Sequence, residues 1–316
     1  MEKQELSPAI KKAIDHLHNP VLPKLLKVQG EIIKAIHEFM ETKNVTPVMP
    51  LMTSPITDPL NHSVTEADFT YAGQKFSLMK SMILHKQLLL TNPQLESIYI
   101  VSPNVRLEGK DRFSTGRHLF EFTQIDFEFK NKDMNFVILF VEEMVSHVFT
   151  KLNTKVGDII KELRGDLLKI PGTGWPRFST HELIAKYGEH WEKQSSLDAT
   201  GPYWVTDHER EFYDKEEENN SFHYNNYDIM WPEGFGEGLS GAERENEYNQ
   251  ILMRMERSKA NPESFKQYLE IAKAGLLAKT AGAGIGIERL TRFVTKREDV
   301  NEICPFSRKP FDSIPF

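Results

Sequence analysis

Leu25, Val28, Ile32, Ile36 and Phe39 recur at three- and four-residue steps, so the segment from Pro23 to about Lys43-Asn44 predicts a helix with one buried face. Upstream, Ser7-Pro8 reads as a helix start, the hydroxyl as N-cap and the proline at the first helical position. The prolines of NVTPVMPLM, Pro47 and Pro50, suit an edge strand, and DFTYAGQKFSLM reads as a hairpin turning at Ala72-Gly73. A helix from Met82 to Leu90 follows, then the strand-forming runs SIYIVS, NVRLE and HLFEFTQIDFEF. The last run alternates. Phe120, Phe122, Gln124, Asp126 and Glu128 share one face; Leu119, Glu121, Thr123, Ile125 and Phe127 share the other. Three polar groups on one face suit the floor of a pocket better than a dry core. A long helix is expected over Met134 to Asn153, two more over Ala242 to Ser258 and Pro262 to Ala274, and strands near HYNNYDIMW and Glu237. Residues 154–225 read as a helical and loop insertion containing a solvated acidic run, DKEEENN. Strands grouped centrally with helices at both ends indicate an α+β fold, an antiparallel sheet flanked by helices, in a single domain over 1–316.

Composition narrows the class. The 316 residues are 39% hydrophobic and 27% charged, enough for a real core without cross-links. The net charge of -7 argues weakly against a protein that only grips phosphate backbones. No apolar run is long enough to span a bilayer, and the first residues lack a signal-peptide core, so a cytoplasmic location is expected. The one cysteine, Cys304, excludes an internal disulfide and a cysteine-based zinc site. HELIA begins at His181 like a zinc-protease helix, but Ala185 stands where the second histidine would be, and the remaining histidines are scattered.

Four segments carry candidate chemistry. In AGAGIGIERL, Gly282, Gly284 and Gly286 bare one strand face, which would let a flat ring approach the backbone, and Arg289 follows at a helix start. Tight strand-helix packing accounts equally well for those glycines. In NVRLE…GRHLFEF, Arg106 and Glu108 share a strand face, Arg117 and His118 add positive charge, and Phe122 is placed to stack on a base. An ordinary cross-strand ion pair explains the first two as readily. In TSPITDPL and SMILHKQ, Asp58 sits between prolines, and Ser81 and Lys86 flank a helix start. A simple turn accounts for Asp58 and a solvated helix for Lys86. In NYDIMWPEGFGEGLSGAERE, Asp228 and Glu237 flank a glycine-rich turn and could hold Mg²⁺ through oxygen, while Arg244 near a helix start could hold a carboxylate.

The order of these segments resembles the three motifs of class II aminoacyl-tRNA synthetases. A long helix leads to a strand ending in Pro50; the Arg106-x-Glu108 hairpin follows; a glycine strand ends at Arg289. RHLFEFTQIDFEF and LSGAERE look like the aspartyl and asparaginyl branch. SPITDPL, SMILHKQ, SPNVRLE and AGAGIGIERL are similar to the archaeal asparagine synthetases related to asparaginyl-tRNA synthetase, which resemble that catalytic core without its anticodon barrel.

The resemblance implies ATP and Mg²⁺ as cofactors and a homodimer through the Pro50 segment. It implies ATP bound by Arg106, Glu108, Arg117, His118, Phe122, Glu237 and Arg289, with adenine between Phe122 and Arg289. Aspartate would bind at Ser81, Lys86, Gln124, Asp126, Ser240 and Arg244, and Mg²⁺ at Asp228 and Glu237. Arg106, Arg289 and Asp58 would be catalytic, Asp58 holding ammonium. The expected reaction converts aspartate, ammonia and ATP to asparagine, AMP and pyrophosphate through β-aspartyl-AMP, with no tRNA partner. A tRNA-charging aspartyl or asparaginyl synthetase core and a non-catalytic paralogue are the alternatives. The family's Ser-Ser-Gly-Gly run is here Leu239-Ser240-Gly241-Ala242, one serine short.

Overall fold

The computed structural model describes residues 6–316. The chain opens with α1 (Pro8–Leu17), capped by Ser7, and α2 (Leu22–Thr42). Short strands β1 (Thr46–Val48), β2 (Thr53–Ser54) and β3 (Val64–Thr65) lead to the hairpin β4 (Asp68–Tyr71) and β5 (Gln74–Leu78), which turns at Ala72-Gly73 as expected. Then come α3 (Ile83–Leu89), β6 (Ser97–Val105), β7 (Leu107–Glu108), β8 (Glu121–Lys130) and the long α4 (Met134–Arg164). The next stretch holds β9 (Arg177–Ser179), α5 (Thr180–Tyr187), α6 (Trp191–Asp198), β10 (Tyr203–Thr206), β11 (Glu216–Glu217) and β12 (Asn220–Tyr224). The chain closes with β13 (Asn226–Trp231), β14 (Gly236–Glu243), α7 (Tyr248–Ser258), α8 (Lys266–Lys273), β15 (Thr280–Gly286) and α9 (Ile287–Thr295).

Eight strands form one sheet in the order β1-β6-β8-β15-β14-β13-β10-β9. All inner pairs are antiparallel; only the two edge pairs, β1 with β6 and β9 with β10, are parallel. The alternation in β8 decides how the sheet is used. Ile125, Phe127 and Phe129 enter a large apolar core with the inner faces of α2, α4 and α9. Gln124, Asp126 and Glu128 therefore face the other way, opposite Gly286, Gly284 and Gly282 of β15. Val28, Ile32, Ile36 and Phe39 of the α2 stripe lie in this core, so most of the stripe packs within the chain.

Three expectations need correction. The long helix continues past Asn153 to Arg164, bending at Val156, whose φ of -139° is non-helical. Residues 154–225 are more than a helical and loop insertion, because β9 and β10 extend the main sheet and Trp204 is fully buried in its core. The helix predicted from Ala242 starts at Tyr248, since Ala242 and Glu243 complete β14 against Gly282 and Ala281.

A second apolar cluster joins Ile83 and Leu84 of α3, Phe212 and Tyr213, Ile251 and Met255 of α7, and Tyr268 of α8. It anchors the segment between β10 and β11 over the polar face of the sheet. Truncating a buried phenylalanine such as Phe212 to alanine typically costs about 3–5 kcal/mol. DKEEENN is likewise no simple solvated loop: Asp214 is buried, and Glu216 accepts from Arg257 Nη1 at 2.8 Å.

Candidate active site

A cavity of about 650 Å³ opens over the polar face of the sheet. Gln124, Gly284, Gly286 and Ser240 belong to its floor strands. Arg106, Glu108 and the turn around Asp58 line it, as do Arg117, His118 and Arg289. Residues 207–211 with Tyr213, and Thr180 and His181 of α5, form part of its wall.

Ten sequence-predicted residues reach this cavity: Asp58, Arg106, Glu108, Arg117, His118, Phe122, Gln124, Glu237, Ser240 and Arg289. Five do not line it: Ser81, Lys86, Asp126, Asp228 and Arg244, all of them buried.

The three arginines that the sequence predicted on the cavity are loosely held. Arg106 donates from Nε to the Lys80 carbonyl at 3.1 Å, and its Cζ lies 5.2 Å from the Phe122 ring centroid. Arg117 meets Glu192 Oε2 at 3.2 Å, and Arg289 meets Glu237 Oε1 at 2.9 Å. Burial pushes Glu237 up, but the guanidiniums of Arg289, Arg210 and Arg117 outweigh it and hold it at about 2. His118 adds no positive charge, contrary to expectation. Burial, with Arg289, Arg117 and Arg112 nearby, lowers it to about 3, so its ring is neutral at ordinary pH. Its Nδ1 lies 2.7 Å from Thr115 Oγ1. Glu108 has a partner that the sequence did not suggest, His62, whose Nε2 lies 3.1 Å from Oε2.

Beneath the floor lies a dense charge layer. Lys86 Nζ is 3.1 Å from Asp126 Oδ1 and 3.5 Å from Glu128 Oε2. Arg244 donates from Nε to Glu128 Oε1 at 3.1 Å and from Nη1 to Asp214 Oδ1 at 3.2 Å. Thr280 Oγ1 also donates to Glu128. Lys86 and Arg244 therefore do not present free charges to the cavity; Glu128 bridges them. Arg244 sits at a strand end, not a helix start, and borders a separate surface cleft with Asn131 and Lys132. Ser81 Oγ accepts from the backbone of Ile83 and stays out of the cavity.

The same layer explains the glycines. A Cβ at Gly282 would lie 2.2 Å from Glu128 Oε2 and from the Phe127 carbonyl, and one at Gly284 would lie 2.6 Å from Asp126 Oδ1. The bare face is filled at those two positions by carboxylates, and only Gly284 and Gly286 reach the cavity.

The segment after β10 supplies residues that the sequence reading did not assign. Arg210 donates to Ser240 Oγ and to Asp228 Oδ2, and His208 Nε2 lies 3.3 Å from the same carboxylate oxygen. Asp228 Oδ1 is buried with no partner. Tyr213 donates from its hydroxyl to Asp58 Oδ1 at 2.9 Å; Arg106 Nη2 is 3.9 Å from Asp58 Oδ2. Glu211 Oε1 accepts from the Asn61 backbone, tying this segment to the Asp58 turn. Burial, with Asp58 and Asp214 nearby, raises Glu211 to about 7. The one available signal was the density of charged and aromatic residues in DHEREFYD.

An antiparallel sheet with helices on its inner face and an arginine-rich nucleotide-sized cavity on the other defines a class II synthetase-like catalytic fold. Residues 7–310 match the family of class II tRNA synthetases (D, K and N), and the chain belongs to that family. It is 26% identical to the asparagine–tRNA ligase of Pyrococcus abyssi, over 97% of this chain and 74% of the relative. It is 27% identical to the aspartate–tRNA(Asp/Asn) ligase of Methanopyrus kandleri, over 90% of this chain and 67% of the relative. The fold is similar to that of asparaginyl-tRNA synthetase from Pyrococcus horikoshii complexed with asparaginyl-adenylate, with a TM-score of 0.87 at 24% identity, covering 98% of this chain and 74% of that one. The family supports an ATP-dependent ligase that forms AMP. The expectation that tRNA is no partner finds no support, because both curated relatives are tRNA ligases. Among the described residues no helix is long and apolar enough to cross a membrane.

Proposed function

We propose that the protein activates aspartate as an acyl adenylate and transfers it to ammonia, making asparagine. The observation that carries the acceptor is the carboxylate cluster of Asp58 and Glu211 on the wall of the same cavity as Arg106 and Arg289. A small cation such as ammonium would sit between those carboxylates, with Tyr213 fixing Asp58.

In this reading Arg106, Arg117 and Arg289 receive the phosphates and the adenine, Phe122 and Arg289 flank the ring, Glu108 accepts from its amine, and neutral His118 donates or accepts a single hydrogen bond. Gln124 and Ser240 seat aspartate over Gly284. The second oxygen of Asp126, buried and without a partner, is suited to an amino group at that edge. Lys86 and Arg244 act from the layer below, with Ser81 fixing the start of α3. The free oxygen of Asp228 and the strongly ionised Glu237 form an all-oxygen set that fits Mg²⁺, provided Arg210 withdraws from Asp228. Bound there, the ion would neutralise phosphate charge.

The side-chain carboxylate of aspartate attacks the α-phosphorus and pyrophosphate leaves. Ammonium loses a proton to Glu211 or Asp58; the freed nitrogen attacks the acyl carbon, AMP departs with the bonding pair, and the nitrogen's surplus proton passes to the leaving phosphate or to solvent. Positioning and charge neutralisation supply the rate. Exposed Met49, Leu51 and Met52 around Pro50 offer an apolar surface for a second copy of the chain.

The curated relatives favour a second reading, in which the α-carboxylate of asparagine or aspartate is adenylated and passed to tRNA. One assay separates them. Pure protein is incubated with ATP and Mg²⁺, with aspartate and ammonium in one arm and with total tRNA plus asparagine or aspartate in the other. Asparagine with stoichiometric AMP in the first arm is the expected result; charged tRNA in the second arm with no asparagine formed in the first would replace the first reading by the second.

A further inference from the structure

His181, Asp207 and His223 come from the first turn of α5, the residue after β10, and β12. One donor atom from each side chain lies within 4.8 Å of the others. His223 Nδ1 is 2.6 Å and His181 Nε2 3.1 Å from the same oxygen, Asp207 Oδ2. The carboxylate is fixed from behind, because its Oδ1 accepts from the Tyr224 backbone N–H at 2.9 Å. Asp207 also adopts a left-handed backbone with φ of 66°, a conformation that a non-glycine residue keeps only where its surroundings hold it. Thr180 Oγ1, next to His181, donates to the Asp207 carbonyl.

We propose that these three side chains form a binding site for a zinc-class divalent ion at the rim of the cavity. Two imidazole nitrogens and one carboxylate oxygen make a donor set of intermediate softness, suited to zinc and its neighbours. The backbone hydrogen bond to Asp207 is the outer support such ligands need. Three protein ligands leave a fourth position for water. The imidazoles must part slightly from their present hydrogen-bonded positions to reach Zn–N distances of about 2.0–2.1 Å. The site is chemically distinct from the all-oxygen place at Asp228 and Glu237, which suits a hard ion.

The consequence is mechanical. The ligands bracket residues 208–222, which carry Arg210, Glu211 and Tyr213 onto the cavity. An ion there fastens this segment to α5 and stiffens that wall. The inference does not depend on which acceptor the enzyme uses.

The test uses the full chain without an affinity tag, stripped with a chelator and titrated with ZnCl₂ alone by calorimetry, and with CoCl₂ by visible absorption. One ion per chain is expected, with the intense cobalt bands of a low-coordinate site. His181→Ala and His223→Ala, each removing a direct ligand, should weaken zinc binding by at least the roughly 100-fold that loss of an outer-shell partner costs, whereas His190→Ala should not change it. His181 is largely exposed, so its variant keeps the wild-type circular dichroism. Zinc should also slow proteolysis between residues 207 and 224. No stoichiometric binding, or equal binding by wild type and both ligand variants, would overturn the site.

Discussion

Two charged regions lie back to back on the polar face of the sheet. On the cavity side, Arg106, Arg117 and Arg289 are partly exposed; Arg117 and Arg289 each hold one carboxylate, and Arg106 meets a backbone carbonyl and, at 3.9 Å, Asp58. One layer down, Lys86 and Arg244 are almost fully buried, and Asp126, Glu128 and Asp214 surround them. The same residue types do different work. A partly solvated arginine with one weak partner can exchange that partner for a phosphate at small cost. A buried cation cannot lose its carboxylate without exposing an unpaired charge to a low-dielectric interior.

The contrast can be broken most forcibly from below. Glu128→Gln removes the shared anion and leaves Lys86 and Arg244 facing each other across Asp126 and Asp214. A loss of about 3–5 kcal/mol in urea unfolding is expected. A loss under 1 kcal/mol would mean that the layer is not the self-compensated network described.

From above, Arg289→Ala should leave stability nearly unchanged while lowering ATP-dependent turnover by about 10²–10³-fold. Retained turnover would remove Arg289 from the nucleotide site, and a large fall in melting temperature would erase the distinction between the two layers.

The smallest expected effect concerns Glu211, which lies half-buried on the cavity wall. Its carboxyl is raised to about 7, above its ordinary unfolded value. Its stabilising contribution is therefore complete below the ordinary carboxylate range and is lost as pH rises through about 7. Ammonium-dependent turnover should rise over the same window as the carboxylate forms. Glu211→Gln should flatten both profiles. An unaltered rise in turnover would assign the base elsewhere, with Asp58 next to be tested by Asp58→Asn.

Much of this was legible in the chain. The three- and four-residue spacing in α2 predicted its buried face because an apolar stripe must be covered. The alternation in β8 placed Gln124, Asp126 and Glu128 together because strand side chains alternate. Ser7, Pro8 and Ala72-Gly73 marked boundaries through local geometry alone. The order of the three motifs indicated the family. Local pattern could not tell that Lys86 and Arg244 would be consumed by Glu128 and Asp214, since those partners lie 42 and 30 positions away.

Residue chemistry and short-range periodicity thus belong to the sequence: which strand is two-faced, which glycines share a face, which arginines are available. Which arginines remain free was decided by tertiary structure. Burial and pairing are set by residues distant in the chain. So too His181, lacking a partner four positions on, finds Asp207 and His223 only because α5, β10 and β12 converge at the rim of one cavity.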